Sequence, residues 1–551
     1  MRKLLCFLLA SVLIFSSVSN LAQTRAQTRN AAPPPIKIVV GIVIDQFRAD
    51  YLVRFADQFV DGGFRRMLTT GANFANAAYV HTPTYTACGH ATFMSGASPS
   101  MNGIVGNEWF DRSTNQRVTS VSDSSAKLVG GKPDAAGMSP VRLVGDTLGD
   151  ELRFASAGKA KVVGVSYKDR SAILPAGKRP NGAYWFDANT GNFVTSTYYS
   201  QSLPDWMQKF NRDMRPDRYF GKKWERLLPA EAYSKSRPDD ASEEPTGNGR
   251  TFPYTINGGE PTPGVRFYNR FEVTPFANEE LVDLAKAAID GEALGEDDIT
   301  DLLTISFSAN DLVGHNYGPY SQEVQDITLR TDRILASFFD YLDKKFGVGR
   351  TLVVLTADHG VAPIPEQVKE MGYGGRIPNR KVPDAIEAEL RAKTGEGPWI
   401  RQWVNSNIYL DYGIAAKAKL SMNEVERIAC DVAEKVEGVA ACFTRSELES
   451  RTYRDTPISR SVARGFFPSR SGDVILVPQP YYFFAEIPGT THGTPYSYDT
   501  HVPVVFMGAS IVKGTYHEEC SPADIAPTLA AILSLTPPSN AEGRVLTHAF
   551  K

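Results

Sequence analysis

Residues 36–45 read IKIVVGIVID, a run of β-branched and other apolar side chains interrupted only by Lys37 and Gly41 and closed by Asp45. A strand that is apolar at odd and even positions alike has both faces covered, as the strands of a parallel sheet do. The pattern recurs in DLLTISFS (301–308), which leads into Asn310 and Asp311, and in TLVVLTA (351–357), which leads into Asp358 and His359. VPVVFMG (502–508) is a fourth such run. Helical periodicities lie between them, the clearest being EVQDITLRTDRILASFFDYLDKKF (323–346), with apolar residues three and four apart. Alternating strands and helices predict an α/β fold with a largely parallel central sheet flanked by helices. Ligands of such sheets bind beyond the carboxyl ends of the strands. Three of the four runs deliver an acid or a histidine at that end.

Two stretches break the rhythm. Residues from about 180 to 270 are rich in aromatic, Pro, Gly and charged residues, and about 365 to 485 carries its own helical pattern, NEVERIACDVAEKV. Both read as insertions that cap one catalytic domain spanning 37–551, not as further domains in series. At the N-terminus, Arg2 and Lys3 precede LLCFLLASVLIF and a small-residue zone, the order of a secretory signal expected to be cleaved near Ala22. Residues 23–36, with AQTR repeated before a proline run, read as a disordered leader. The chain is therefore expected to be exported, with no stable membrane span after cleavage. A formal net charge of −3 gives no general attraction to nucleic acid. Past the signal, Cys88, Cys430, Cys442 and Cys520 permit disulfides in an oxidising compartment; Cys430 and Cys442 are the pair nearest in sequence.

The chemistry-bearing residues are individually weak signals. TPTYTACGHATF (82–93) offers Thr86, Cys88 and His90 as nucleophile, metal ligand or packing. Asp311 and His315, four apart after a strand, face one side of a turn and suit a cation, while Asp358 and His359 alone would pass as a loop feature. His492 and His501 both precede the last strand run. Taken together, Asp45, Asp311, His315, Asp358, His359 and one late histidine make a mixed oxygen and nitrogen donor set, which with a threonine suffices for two zinc ions.

Across nearly the whole mature chain, the ordered motifs VVGIVIDQFRADYL, TPTYTACGHATFMSGASPSMNGIVGN, SYKDRSAILPAGK, NDLVGHNYGP, LTADHGV and THGTPYSYDTHVP resemble the alkaline phosphatase superfamily, in particular its threonine-nucleophile, phosphate-irrepressible alkaline phosphatase branch. The resemblance implies a phosphoric monoester hydrolase with Thr86 as nucleophile and a phosphothreonine intermediate. It implies one zinc site of Asp45, Thr86, Asp358 and His359 and another of Asp311, His315 and His492, the last preferred to His501 because the family ligand stands in a His-Gly motif. His90 falls past the nucleophile on the following helix, as a packed residue behind the ligands. Lys168, Arg170 and Asn107 match the phosphate contacts that mark the monoesterase branch.

Lys168 and Arg170 alternate along what reads as an extended segment, so both can reach one side of it. An Arg grips two phosphate oxygens in a fork and a Lys adds a point charge. By composition alone the pair would be a solvated surface pair; the resemblance implies small-molecule phosphate monoesters as the substrates, in a secreted, periplasmic setting. The alternatives are a nucleotide pyrophosphatase or phosphodiesterase of the same superfamily, and a metal- or phosphate-binding protein without turnover. A sulfatase needs a Cys or Ser in a C/S-x-P-x-R context, and CGHAT at Cys88 has neither the Pro nor the Arg.

Overall fold

The computed structural model describes residues 35–244, 249–369, 371–485 and 488–551. The expected signal peptide at 1–22, and the leader up to residue 34, lie outside them. The central sheet has eleven strands, named here in chain order. The first four are β1 (Ile38–Ile44), β2 (Ala72–Phe74), β3 (Ser122–Val129) and β4 (Ala136–Met138). Then come β5 (Val162–Ser166), β6 (Gly182–Asp187), β7 (Asn192–Ser196) and β8 (Asp301–Phe307). The last three are β9 (Thr351–Thr356), β10 (Val504–Gly508) and β11 (Gly514–Tyr516). Their spatial order is β11-β2-β10-β9-β1-β8-β5-β6-β7-β3-β4.

Five neighbours, β9-β1-β8-β5-β6, run parallel. Beyond them β10 lies antiparallel on β9, and β7 antiparallel on β6. The sheet is thus mixed and mostly parallel at its centre. The two-residue period of a strand explains why β1 is apolar throughout: Ile38, Val40, Ile42 and Ile44 enter one core, Val39 and Val43 the other. On the first face pack α3 (Pro275–Gly291) and α5 (Gln322–Phe346); on the second pack α1 (Thr86–Ser95) and α6 (Ile525–Ile532). Two further helices follow strands of the parallel set, α2 (Asp169–Ala176) after β5 and α4 (Ala309–Tyr317) after β8.

The reversed direction of β10 has a consequence for the site. Its preceding loop, residues 490–503, arrives at the same sheet edge as the carboxyl ends of β1, β5, β8 and β9. His492 therefore reaches the ligand edge although it comes before its strand.

Two sequence expectations need correction. The stretch from 180 does not leave the sheet at once: Gly182–Asp187 and Asn192–Ser196 are β6 and β7. Its Gly-rich composition hides an alternation in which Ala183 and Trp185 face one core and Tyr184 and Phe186 the other. Nor are Lys168 and Arg170 on an extended segment. Lys168 is the residue before α2 and Arg170 lies in its first turn. No side-chain cap marks that start, and Pro175 sits inside the helix, so the sequence carries little helical signal.

Between β9 and β10 the chain builds a four-stranded antiparallel sheet of Ile400–Val404, Asn407–Leu410, Val474–Pro478 and Val439–Thr444, in that spatial order. It has its own core with helices Lys381–Thr394 and Met422–Ala433, and a Cys430–Cys442 disulfide ties helix to strand. Among the described residues, no helix is long and apolar enough to cross a membrane.

Candidate active site

Asp45 follows β1, Asp311 lies in the first turn of α4 after β8, and Asp358 and His359 follow β9. All are buried, and His359 stands against Thr86, the first residue of α1. Two glycines make the approach possible. At Gly89 a Cβ would lie 2.2 Å from the Asp358 carbonyl oxygen, so only a glycine lets α1 press against the end of β9. At Gly493, with φ +117°, a Cβ would strike the Tyr85 ring at 2.7 Å, which accounts for the His-Gly pair at 492–493.

Thr86 Oγ1 is 3.4 Å from His359 Nε2, which is itself 3.2 Å from Asp358 Oδ2. Donor atoms of Asp311, His359 and His492 lie within 4.8 Å of one another, and so do those of Asp45, His90 and Asp358. His359 and His492 stack at 3.5 Å between ring centroids, and His315 Nε2 is 3.2 Å from Asp311 Oδ1. The grouping differs from the expected one in two residues. His359 joins Asp311 and His492 while still touching Asp358 and Thr86, and His90 stands against Asp45 and Asp358.

The donor chemistry fits metal ions. His315, His359 and His492 each direct Nδ1 at a backbone carbonyl, of Thr490, Gly360 and Thr84. A carbonyl can only accept, so Nδ1 holds the proton and Nε2 of the neutral ring is left as the donor for a metal. Asp358 Oδ2 is buried without a hydrogen bond. His90 is different: Nδ1 meets the Thr86 carbonyl at 2.8 Å and Nε2 the Ser306 hydroxyl at 2.7 Å, so both its nitrogens are engaged. Ser306 in turn donates to Asp45 Oδ1 at 2.6 Å.

Lys168 is the cation shared by both donor sets, at 3.0 Å from Asp45 Oδ2 and 2.6 Å from Asp311 Oδ2. Burial opposes its charge, but Asp311 and Asp45 prevail and raise its pKa. Burial likewise opposes ionisation of Asp45 and Asp311, yet Lys168 with His90 holds the first, and His315 with Lys168 the second, well below the usual carboxylate range. Burial acts against a charged His359, and Asp358 overrides it to give a pKa of about 9. His492 is pushed well below the ordinary histidine value by burial and by the neighbouring His359 and His315. Arg170 has a buried Nε without a hydrogen bond, and its Nη1 is 3.6 Å from Asp169. Asn107 accepts the Ala87 N–H at 2.9 Å with its side-chain oxygen and so caps α1 beside Thr86.

The competing residues of TPTYTACGHATF are packed. Burial lifts the Cys88 thiol to about 12, and its Sγ donates to the Ile104 carbonyl, so it is no thiolate. His501 directs Nε2 at the Ala75 carbonyl, away from the cluster. Sequence reading passed over Gln46 and Ser306. Gln46 donates its backbone N–H to Asp358 Oδ1 at 3.0 Å and Nε2 to Asp311 Oδ1 at 2.7 Å, from a left-handed backbone at φ +61°. Its position next to Asp45 was the available signal; for Ser306, it was a hydroxyl near the end of an otherwise apolar strand.

A parallel sheet with buried carboxylates and histidines at its carboxyl edge, around a helix-borne threonine, defines a metal-dependent hydrolase of phosphate esters in the alkaline phosphatase superfamily. The chain belongs to the type I phosphodiesterase / nucleotide pyrophosphatase family, whose model matches residues 39–503. It is 39% identical over 534 residues to alkaline phosphatase PafA of Elizabethkingia meningoseptica, covering 95% of this chain and 96% of that one. The crystal structure of PafA superposes with a TM-score of 0.88 at 38% identity, over 95% of this chain and all of that one. A PafA variant with one threonine, one asparagine, one lysine and one arginine replaced superposes at 0.87 over the same shares of both chains, at 36% identity. Alkaline phosphatase PhoV of Synechococcus elongatus is 36% identical over 559 residues, the full length of both chains. The similarity to rat ectonucleotide pyrophosphatase/phosphodiesterase family member 7 is 30% over 95 residues, 17% of this chain and 21% of that one, so the pyrophosphatase relation is distant.

Proposed function

We propose that the chain is an exported phosphate monoesterase that works through a phosphothreonine at Thr86 on a two-zinc centre. The observation that carries this is a pair of buried donor sets bridged by one lysine, with His359 of one set 3.4 Å from the Thr86 hydroxyl. Asp45, Thr86, Asp358 and His359 are assigned to one ion and Asp311, His315 and His492 to the other, with His359 standing between the sets. Bound there, two divalent ions supply the positive charge that lowers the pKa of a hydroxyl and stabilises a departing alkoxide.

The chain's own groups do the rest. Thr86 Oγ1 forms a bond to phosphorus as the bond to the ester oxygen breaks; the alcohol leaves with the threonine's proton. Water then attacks phosphorus, Thr86 regains its hydroxyl, and inorganic phosphate departs. Lys168, Arg170 and the Asn107 amide hold the non-bridging oxygens, which favours the dianionic monoester over the singly charged diester. The replaced residue types in the PafA variant, with Lys and Arg two apart, match Thr86, Asn107, Lys168 and Arg170 in order and type. Export through the segment 1–22 to the periplasm accords with the Cys430–Cys442 disulfide.

The test is hydrolysis of an aryl phosphate monoester and the corresponding diester by the purified protein. The expected result is a higher kcat/KM for the monoester, and a loss of that preference in Lys168→Ala and Arg170→Ala. A higher kcat/KM for the diester overturns the assignment.

A further inference from the structure

A cavity of about 490 Å³ opens from the metal-ligand edge toward the inserted four-stranded sheet. Its lining includes His315, His492 and Tyr85, the residue before the nucleophile, together with Trp403, Tyr482 and Phe484 from the inserted region. The inserted wall is held in place at its tip. Asn405 and Ser406 join two strands with successive positive φ values of 50° and 62°, a tight primed hairpin turn. Asn405 Nδ2 donates to the Glu108 carbonyl at 3.0 Å, and Ser406 lines the cavity together with Tyr85. Trp403 and Phe484 meet edge-to-face at 5.4 Å between ring centroids. Trp403 of the hairpin, with Tyr482 and Phe484, thus presents aromatic rings to a cavity that reaches Tyr85, the residue before the reacting threonine.

The cationic groups at the cavity do not make it a second anion site. Arg117 is paired to Glu108 at 2.6 Å and Arg376 to Glu366 at 2.7 Å. What the cavity offers is ring faces with amide and hydroxyl groups at their margin, which suits a flat ring bearing polar edges.

We infer that this cavity is the subsite for the alcohol portion of the substrate and that it selects phosphate monoesters whose alcohol carries an aromatic or heteroaromatic ring. The inference rests on the monoesterase reading, since the alcohol must leave from the His315 and His492 side of Thr86. Trp403 is a specificity-determining residue in this arrangement.

The test uses substrate pairs that keep the leaving alcohol's chemistry and change only the ring: 2-phenylethyl against n-butyl phosphate, and adenosine 5′-monophosphate against ribose 5-phosphate. The expected kcat/KM ratio of ringed to ringless substrate is about tenfold or more, the scale of one ring stacking on an aromatic side chain. Trp403→Ala lowers the ratio about fivefold or more, and so does Trp403→Leu, which keeps apolar volume in the inserted sheet. A preference in the first pair alone identifies a simple aryl subsite; a preference in the second, a nucleoside subsite. A ratio near one in both pairs for the native protein overturns the inference while leaving the monoesterase reading intact, as does a preference that neither Trp403 variant lowers. Hydrolysis of no member of either pair overturns both.

Discussion

A threonine hydroxyl is a poor nucleophile near neutral pH, so Thr86 depends on what surrounds it. It opens α1, where the helix dipole favours negative charge, and His359 Nε2 stands 3.4 Å away. Thr86→Ala removes the proposed attacking atom but little volume, so the fold is expected to be retained. The expected outcome is a fall in kcat/KM of at least about a thousandfold, with no phosphothreonine recovered after acid quenching; turnover at the native rate would exclude the mechanism. Gln46 acts at one remove. Its two hydrogen bonds tie Asp358 to Asp311, one carboxylate from each donor set, as the outer partners of metal ligands commonly do. Gln46→Ala keeps a side chain in the left-handed backbone and deletes the bond to Asp311, so it separates that bond from backbone strain. Zinc affinity, read by competition with a chelating dye, is expected to weaken about 10- to 100-fold. An unchanged affinity would make Gln46 a packing residue only.

At the scale of elements, the strand ends were the legible part. Asp45, Asp311, Asp358 and His359 stand out because short apolar strands stop just before them, and the register of β1 with β8 and β9 brings those ends together. His492 was legible as a residue type but not as a direction: only the antiparallel pairing of β10 carries its loop to that edge. The start of α2 was hidden because its signals are weak, and β6 was hidden by turn-forming neighbours. On the sheet face opposite α2, Tyr167 donates to Glu280 of α3, and burial raises the Glu280 pKa from 4.5 to about 8 despite that bond. The folded state therefore holds a proton that the unfolded state gives up at lower pH. The stability this contributes is complete below about pH 4.5 and is lost as pH rises through about 8. Between those limits the group's contribution falls by up to about 1.4 kcal/mol per pH unit. Glu280→Gln cannot ionise, so its Tm relative to the native protein is expected to rise from pH 6 to pH 9.5. A constant difference would show that Glu280 does not titrate there. The Cys430–Cys442 bridge acts on another element, the inserted sheet. With a sequence separation of 12, its removal in Cys430→Ser/Cys442→Ser is expected to cost about 3 kcal/mol, seen as a lower thermal midpoint that reductant no longer shifts.

Over the whole molecule, the donors come from residues as far apart as Asp45 and His492, so no local segment holds the site and only the complete sheet assembles it. Asp45, Asp311 and Asp358 are all buried, and the ammonium of Lys168 reaches two of them. Concentrating carboxylates in a buried cleft costs free energy unless positive charge accompanies them, which Lys168 and the histidines supply in part. Divalent ions binding the folded chain and not the unfolded one would complete the compensation and add stability, about 4 kcal/mol at a thousand times the dissociation constant. Chelation should therefore do two things together: abolish hydrolysis and lower the thermal midpoint. Zinc should restore both, and restoration by magnesium alone would reject zinc as the working ion. The coupling separates a catalytic centre from a purely structural one. Loss of stability with hydrolysis intact, in protein shown by elemental analysis to be metal-free, would mean that the donors hold the sheet edge together and take no part in the chemistry.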